Sequence, residues 1–91
     1  MYYVYALKSV KHNRIYIGFT TKLDTRIKEH NSGQTKSTRF YRPWKLFYYK
    51  ELNSRNEARK EEKKLKSGSG REFLKRMVIA PVAHKDRAAV S

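Results

Sequence analysis

The sequence contains no cysteine. That excludes disulfides, thiolate zinc sites and a thiol nucleophile. Long apolar runs are also missing, since nothing approaches the roughly 20 consecutive residues of a spanning helix. Met1 leads directly into Tyr2-Tyr3-Val4-Tyr5 without a charged, signal-like segment, so a cytoplasmic protein with no membrane partner is expected. Glycine and proline are sparse, at 4 and 2 residues of 91, and no glycine-rich phosphate loop, HExxH or GxSxG motif occurs. His12, His30 and His84 lie too far apart to show metal-ligand spacing. Acid is scarce as well: 8 Asp and Glu stand against 22 Lys and Arg, giving a net charge of +14 spread over both halves of the chain. Nucleic acid, an anionic membrane surface and the ribosome all fit such a charge.

What is present is aromatic. Tyrosine occurs 7 times and aromatics make up 13% of the chain, enough burial to order a small core. Tyr2 to Leu7 and Ile15 to Phe19 read as a hairpin around a polar turn. Thr21-Lys22-Leu23-Asp24 is a capping box opening a helix that stops near Asn31-Ser32-Gly33. After a polar connection from Gln34 to Pro43, Trp44 to Glu51 has the β-propensity of a third strand. Ser54-Arg55-Asn56-Glu57 opens a second helix, closed by a glycine stop at Ser67-Gly68. Ser69-Gly70-Arg71-Glu72 opens a third, ended by Pro81. The expected fold is α+β, a three-stranded antiparallel sheet flanked by helices in the order β-β-α-β-α-α. It occupies residues 1–78 as one domain, followed by a flexible C-terminal tail at 79–91.

These absences leave tyrosine, arginine and glutamate as the reactive groups. Tyr3 and Tyr5 share one strand face, and Tyr16 shares another with Gly18, whose lack of a side chain suggests close approach of another group. Arg26 and His30, at i and i+4, border the apolar stripe of the first helix. On the second, Glu61 and Glu62 flank the stripe on either side, and helical geometry does not choose between them. Either carboxylate suits Mg²⁺, which needs only one or two beside substrate phosphate and water. Lys36, Arg39, Arg42 and Lys45 interleave with Phe40, Tyr41 and Trp44, a pattern for phosphate contacts and stacking of unpaired bases. Trp44 also fits a core anchor.

Taken in order, Tyr3-Val4-Tyr5, Tyr16-Ile17-Gly18, Arg26 with His30, and Glu57-Ala58-x-x-x-Glu62 resemble the GIY-YIG nuclease domain over roughly residues 1–76, above all its small stand-alone bacterial members. The resemblance implies a divalent-metal-dependent endonuclease that hydrolyses phosphodiester bonds in DNA, in repair or foreign-DNA handling. It implies Tyr5, Tyr16, Arg26 and His30 as catalytic residues and Glu62, ahead of Glu61, as the ligand of Mg²⁺ or Mn²⁺. Lys8 matches a lysine of the repair members. The first motif reads Tyr-Val-Tyr where the family has Gly-Ile-Tyr. A monomer is expected. The alternative is a nucleic-acid-binding module on the same scaffold with little or no turnover.

Overall fold

A computed structural model describes residues 1–79 of the chain. Tyr2–Ser9 forms β1, Ile15–Thr20 forms β2 and Trp44–Leu52 forms β3, all paired antiparallel in the order β2-β1-β3. β1 is therefore the middle strand, and Val4 to Leu7 are buried without a break. A strand covered on both faces reads as a continuous apolar run, not as an alternation. On one face, Val4, Ala6 and Ile17 pack against Ala58, Leu65 and Leu74 of α3 (Arg55–Lys66) and α4 (Gly68–Ile79). On the other, Tyr5, Leu7 and Trp44 meet Leu23 and Ile27 of α1 (Leu23–Ser32). The expected α+β architecture is present, with helices on both sides of the sheet.

One element was not foreseen. Lys36–Arg39 forms a single helical turn, α2, within the connection read as polar loop; the amides of Thr38 and Arg39 both donate to the Thr35 carbonyl. Four residues are too few for hydrophobic periodicity to announce a helix.

The caps also differ from the sequence reading. α1 starts after Lys22 without a side-chain cap, because the hydroxyl of Thr20 accepts from the Lys22 amide at 3.0 Å and makes a local turn instead. α1 stops at Gly33, as expected, with φ at 90°. The Ser54 box forms: its hydroxyl accepts from the Glu57 amide at 3.2 Å, while the Glu57 carboxylate accepts from the Asn53 amide. The Ser67-Gly68 stop does not use a left-handed glycine. Ser67 alone separates α3 from α4, and its hydroxyl accepts from the Gly70 amide at 3.4 Å, so α4 starts one residue before Ser69. α4 runs to Ile79. The remainder of the expected C-terminal tail, and Pro81, lie outside the described residues.

Candidate active site

The candidate residues gather at the β2 side of the sheet, where helices from both faces reach past an outermost strand. Tyr5 and Gly18 are cross-strand partners, as are Leu7 and Tyr16. This register places Tyr5, Tyr16 and Gly18 on the α1 face. A Cβ on Gly18 would lie 2.8 Å from the Tyr5 hydroxyl and 3.1 Å from the Tyr16 ring. The close neighbour inferred at this glycine is thus the pair of phenols themselves.

α1 brings His30 onto these rings. Its imidazole centroid lies 4.7 Å from that of Tyr16 and 6.0 Å from that of Tyr5. His30 does not border the stripe as the wheel suggests, but is fully buried. Its two nitrogens are both engaged, Nε2 with the Tyr5 hydroxyl at 3.1 Å and Nδ1 with the Thr38 hydroxyl at 2.9 Å. Thr38 donates its own proton to the Thr35 carbonyl, so it accepts from Nδ1–H. Nε2 is then the acceptor of the Tyr5 proton. Thr38, itself buried, escaped the sequence reading because only the α2 turn carries it inward.

Burial first, then neighbouring Tyr16, pushes the Tyr5 pKa up to about 12; Arg26 pulls it down and Glu62 adds a small upward push. Burial, followed by the Arg26 charge, holds the His30 pKa below its ordinary value. Burial works against the Arg26 guanidinium, but Glu29 at 3.0 Å and then the two phenols hold it firmly cationic.

The structure separates the two glutamates that the helical wheel could not. Glu61 turns toward β3, 3.7 Å from the Lys50 ammonium. Burial and then the Glu61 charge raise the Tyr48 pKa on that side. Glu62 does not join Lys50 but pairs with Lys66 on its own helix at 3.1 Å through Oε2, and among the described residues its other oxygen has no hydrogen-bond partner.

Lys8 is not brought to the phenols. Three residues beyond Tyr5, strand alternation puts it on the opposite face, and its ammonium donates to the Ser9 and His12 carbonyls at 2.8 Å each, closing the hairpin turn. Lys36, Arg39, Arg42 and Lys45 are all exposed. The Arg42 guanidinium lies over Gly33 at the end of α1, and Lys45 stands opposite Lys8. Trp44 is the core anchor, its indole donating to the Thr38 carbonyl at 2.9 Å.

Two hollows flank β2. A shallow one of about 250 Å³ holds Arg26 and Glu29 beside Thr20. The larger, about 540 Å³, opens at Tyr16 and is lined by Arg14, Tyr41, Lys66, Arg71 and Lys75 among others, with no carboxylate among the described residues of its wall. These cations come from the hairpin turn and the last two helices, and no local sequence pattern joins them.

Comparison with known proteins then identifies the family. The GIY-YIG catalytic domain model matches residues 1–76. The chain belongs to the GIY-YIG family. A UPF0213 protein of Staphylococcus haemolyticus is 39% identical over 75 residues, covering 81% of this chain and 90% of the relative. Another, of Clostridium perfringens, is 43% identical over 63 residues, covering 68% and 67%. The solution structure of a UPF0213 protein from Bacillus halodurans superposes with a TM-score of 0.54 at 34% identity, covering 93% of this chain and 94% of that one. GIY-YIG proteins are a nuclease family acting on nucleic acid and typically using divalent metals. No helix among the described residues is long and apolar enough to cross a membrane.

The buried imidazole of this GIY-YIG domain predicts a pH dependence of stability. Folding disfavours imidazolium at His30, so below about pH 6.5 the unfolded chain binds the extra proton. Stability from this group is complete above that pH and declines as pH falls toward the lowered folded value. Thermal melts from pH 7.5 to 5 should show a falling midpoint, and His30→Gln should flatten the slope. An unchanged slope in the variant would refute it.

Proposed function

We propose that this chain is a divalent-metal-dependent endonuclease hydrolysing phosphodiester bonds in DNA, in repair or foreign-DNA handling. The observation that carries this reading is the convergence of the Tyr5 and Tyr16 rings on buried His30, with the Arg26 charge acting on Tyr5, in a chain of the GIY-YIG nuclease family. A binding scaffold needs the basic groove but has no use for that convergence.

Glu62 fits a hard cation. It offers an oxygen unclaimed by Lys66, and Mg²⁺ is content with one carboxylate when water and substrate phosphate supply the rest. Among the described residues no group of three or more His, Asp and Glu exists to do more. A bound divalent ion supplies charge neutralisation to the phosphate and the departing oxygen. Arg26 donates to a non-bridging oxygen, where a fixed cation gains most as charge develops. Tyr16, half-buried and lining the groove, is the phenol placed to hydrogen-bond and orient the attacking water. Tyr5 is fully buried, and with its pKa pushed up to about 12 it keeps its own proton at neutral pH and donates it in a hydrogen bond to His30 Nε2. It acts as a positioning residue behind Tyr16, 6.2 Å between ring centres.

Labelled single-stranded, duplex and branched DNA, and RNA, incubated with Mg²⁺, Mn²⁺ or EDTA, test the reading. DNA cuts that appear with metal and vanish in EDTA are expected. Binding in EDTA should weaken at least about 100-fold between about 50 and 200 mM salt, as counterion release requires. No cuts with any substrate, with salt-sensitive binding retained, would replace the nuclease by the binding module.

A further inference from the structure

Phe40 is 72% exposed, the most exposed of the large apolar side chains. A lone surface phenylalanine needs no explanation, but this one ends a chain of rings. His12 lies beside it at 5.4 Å, tilted by only 31°, and Tyr41 meets it edge-on at 5.1 Å. Tyr41 continues to Trp44 at 6.3 Å, and Trp44 to Tyr16 at 6.3 Å. Three ring-to-ring steps therefore join an exposed aromatic face to the phenol assigned to the attacking water. Arg14 stacks 4.5 Å over Tyr41, and both line the carboxylate-free groove. His12 holds its place because its amide donates to the buried Ser9 hydroxyl, which itself donates to the Tyr41 carbonyl at 2.6 Å. The hairpin turn and the segment before β3 are thus tied together beneath the exposed ring.

A rigid aromatic face at the mouth of a cationic groove matches what single-stranded nucleic acid requires: cations along the phosphates and a π-surface for a base free of its partner. In an intact duplex the base faces are already stacked, leaving the phosphates and the groove edges of the bases but no free base face. We propose that Phe40 is a stacking platform for an unpaired nucleobase, so that the substrate carries unpaired nucleotides beside the bond to be cut. This assignment rests on the nuclease reading and names its substrate class.

The test is fluorescence anisotropy in EDTA, with short labelled single-stranded DNA and a blunt duplex of equal length. Phe40→Ala should weaken single-strand binding about tenfold, the scale of one lost base stack, and leave duplex binding unchanged, while Phe40→Tyr restores it. A single abasic position, scanned along the strand, should at one place weaken the wild type to the same extent and not weaken Phe40→Ala further. Equal weakening on both substrates, no weakening, or additive abasic and Phe40 effects would overturn the platform. Because no cleavage is read, the two readings fail separately: metal-dependent cuts with an indifferent Phe40 overturn the platform alone, and a Phe40 effect in a protein that cuts nothing supports stacking while removing the nuclease.

Discussion

Glu62→Gln is expected to lower metal-dependent cleavage by about a thousandfold or more, the scale of several kcal/mol of lost charge stabilisation. Nucleic-acid affinity in EDTA should hold. The substitution removes one negative charge from a strongly basic chain and frees Lys66, half-exposed, for phosphate. The lost Glu62 to Lys66 pair is a surface i,i+4 pair on α3, a type that contributes little to stability, so the fold should be unaffected. Glu61→Gln is the control. Its carboxylate faces Lys50 on β3, away from the phenols, and its cleavage should stay near wild type. A fully active Glu62→Gln, or loss of cleavage in Glu61→Gln instead, would overturn the metal-ligand assignment.

Gly70→Ala is expected to be the most destabilising single methyl addition in the described residues. A Cβ there would run into the Lys64 carbonyl and lie 2.5 Å from the Leu65 Cα and 2.7 Å from its carbonyl carbon. These are backbone atoms of α3 and cannot rotate aside. α4 would have to lift from α3, loosening Leu74 from Leu65 and Ala58, with which it shares one buried cluster. Alanine normally gains about 1 kcal/mol over glycine within a helix, but overpacking of this severity costs about 3 kcal/mol or more. For a domain of this size that lowers Tm by roughly 10–20 °C. Gly68→Ala, with no atom within 4 Å of the added Cβ, should melt at or above wild type. Melting of Gly70→Ala together with wild type would refute the steric account.

The contrast between what the sequence disclosed and what it withheld follows from the range of each signal. Strand and helix positions came from short-range patterns, and the Ser54 cap formed as read because all its partners lie within four residues. Tyr5, Tyr16, Arg26 and His30 were legible as an ordered set, and the chain does bring them together. Helical periodicity, in contrast, reports which side of α3 is apolar and nothing about what stands across from it. Glu61 and Glu62 therefore look equivalent in the sequence, and only their partners, Lys50 on β3 for one and Lys66 on α3 for the other, tell them apart. Thr38 was invisible because its role depends on a single turn reaching His30 across eight residues. Spacing alone does not place Lys8: three residues along a strand reverses the face, and the Ser9 and His12 carbonyls of the turn hold its ammonium. The groove cations Arg14, Lys66, Arg71 and Lys75 come from three separate elements, so charge counted along the chain pointed to the segment around α2 instead.

β2 lies outermost in the sheet, with one hollow beside Tyr16 and the other beside Arg26. Tyr16 and Arg26 therefore stand along an open flank, with Tyr5 and His30 buried behind them. For the endonuclease proposed above, a polymer can be laid against such a flank anywhere along its length, because nothing among the described residues encircles it and no terminus has to be threaded through. Under that proposal a covalently closed circle has the same access as a linear fragment, and cut strands can leave sideways without retracing an entry path.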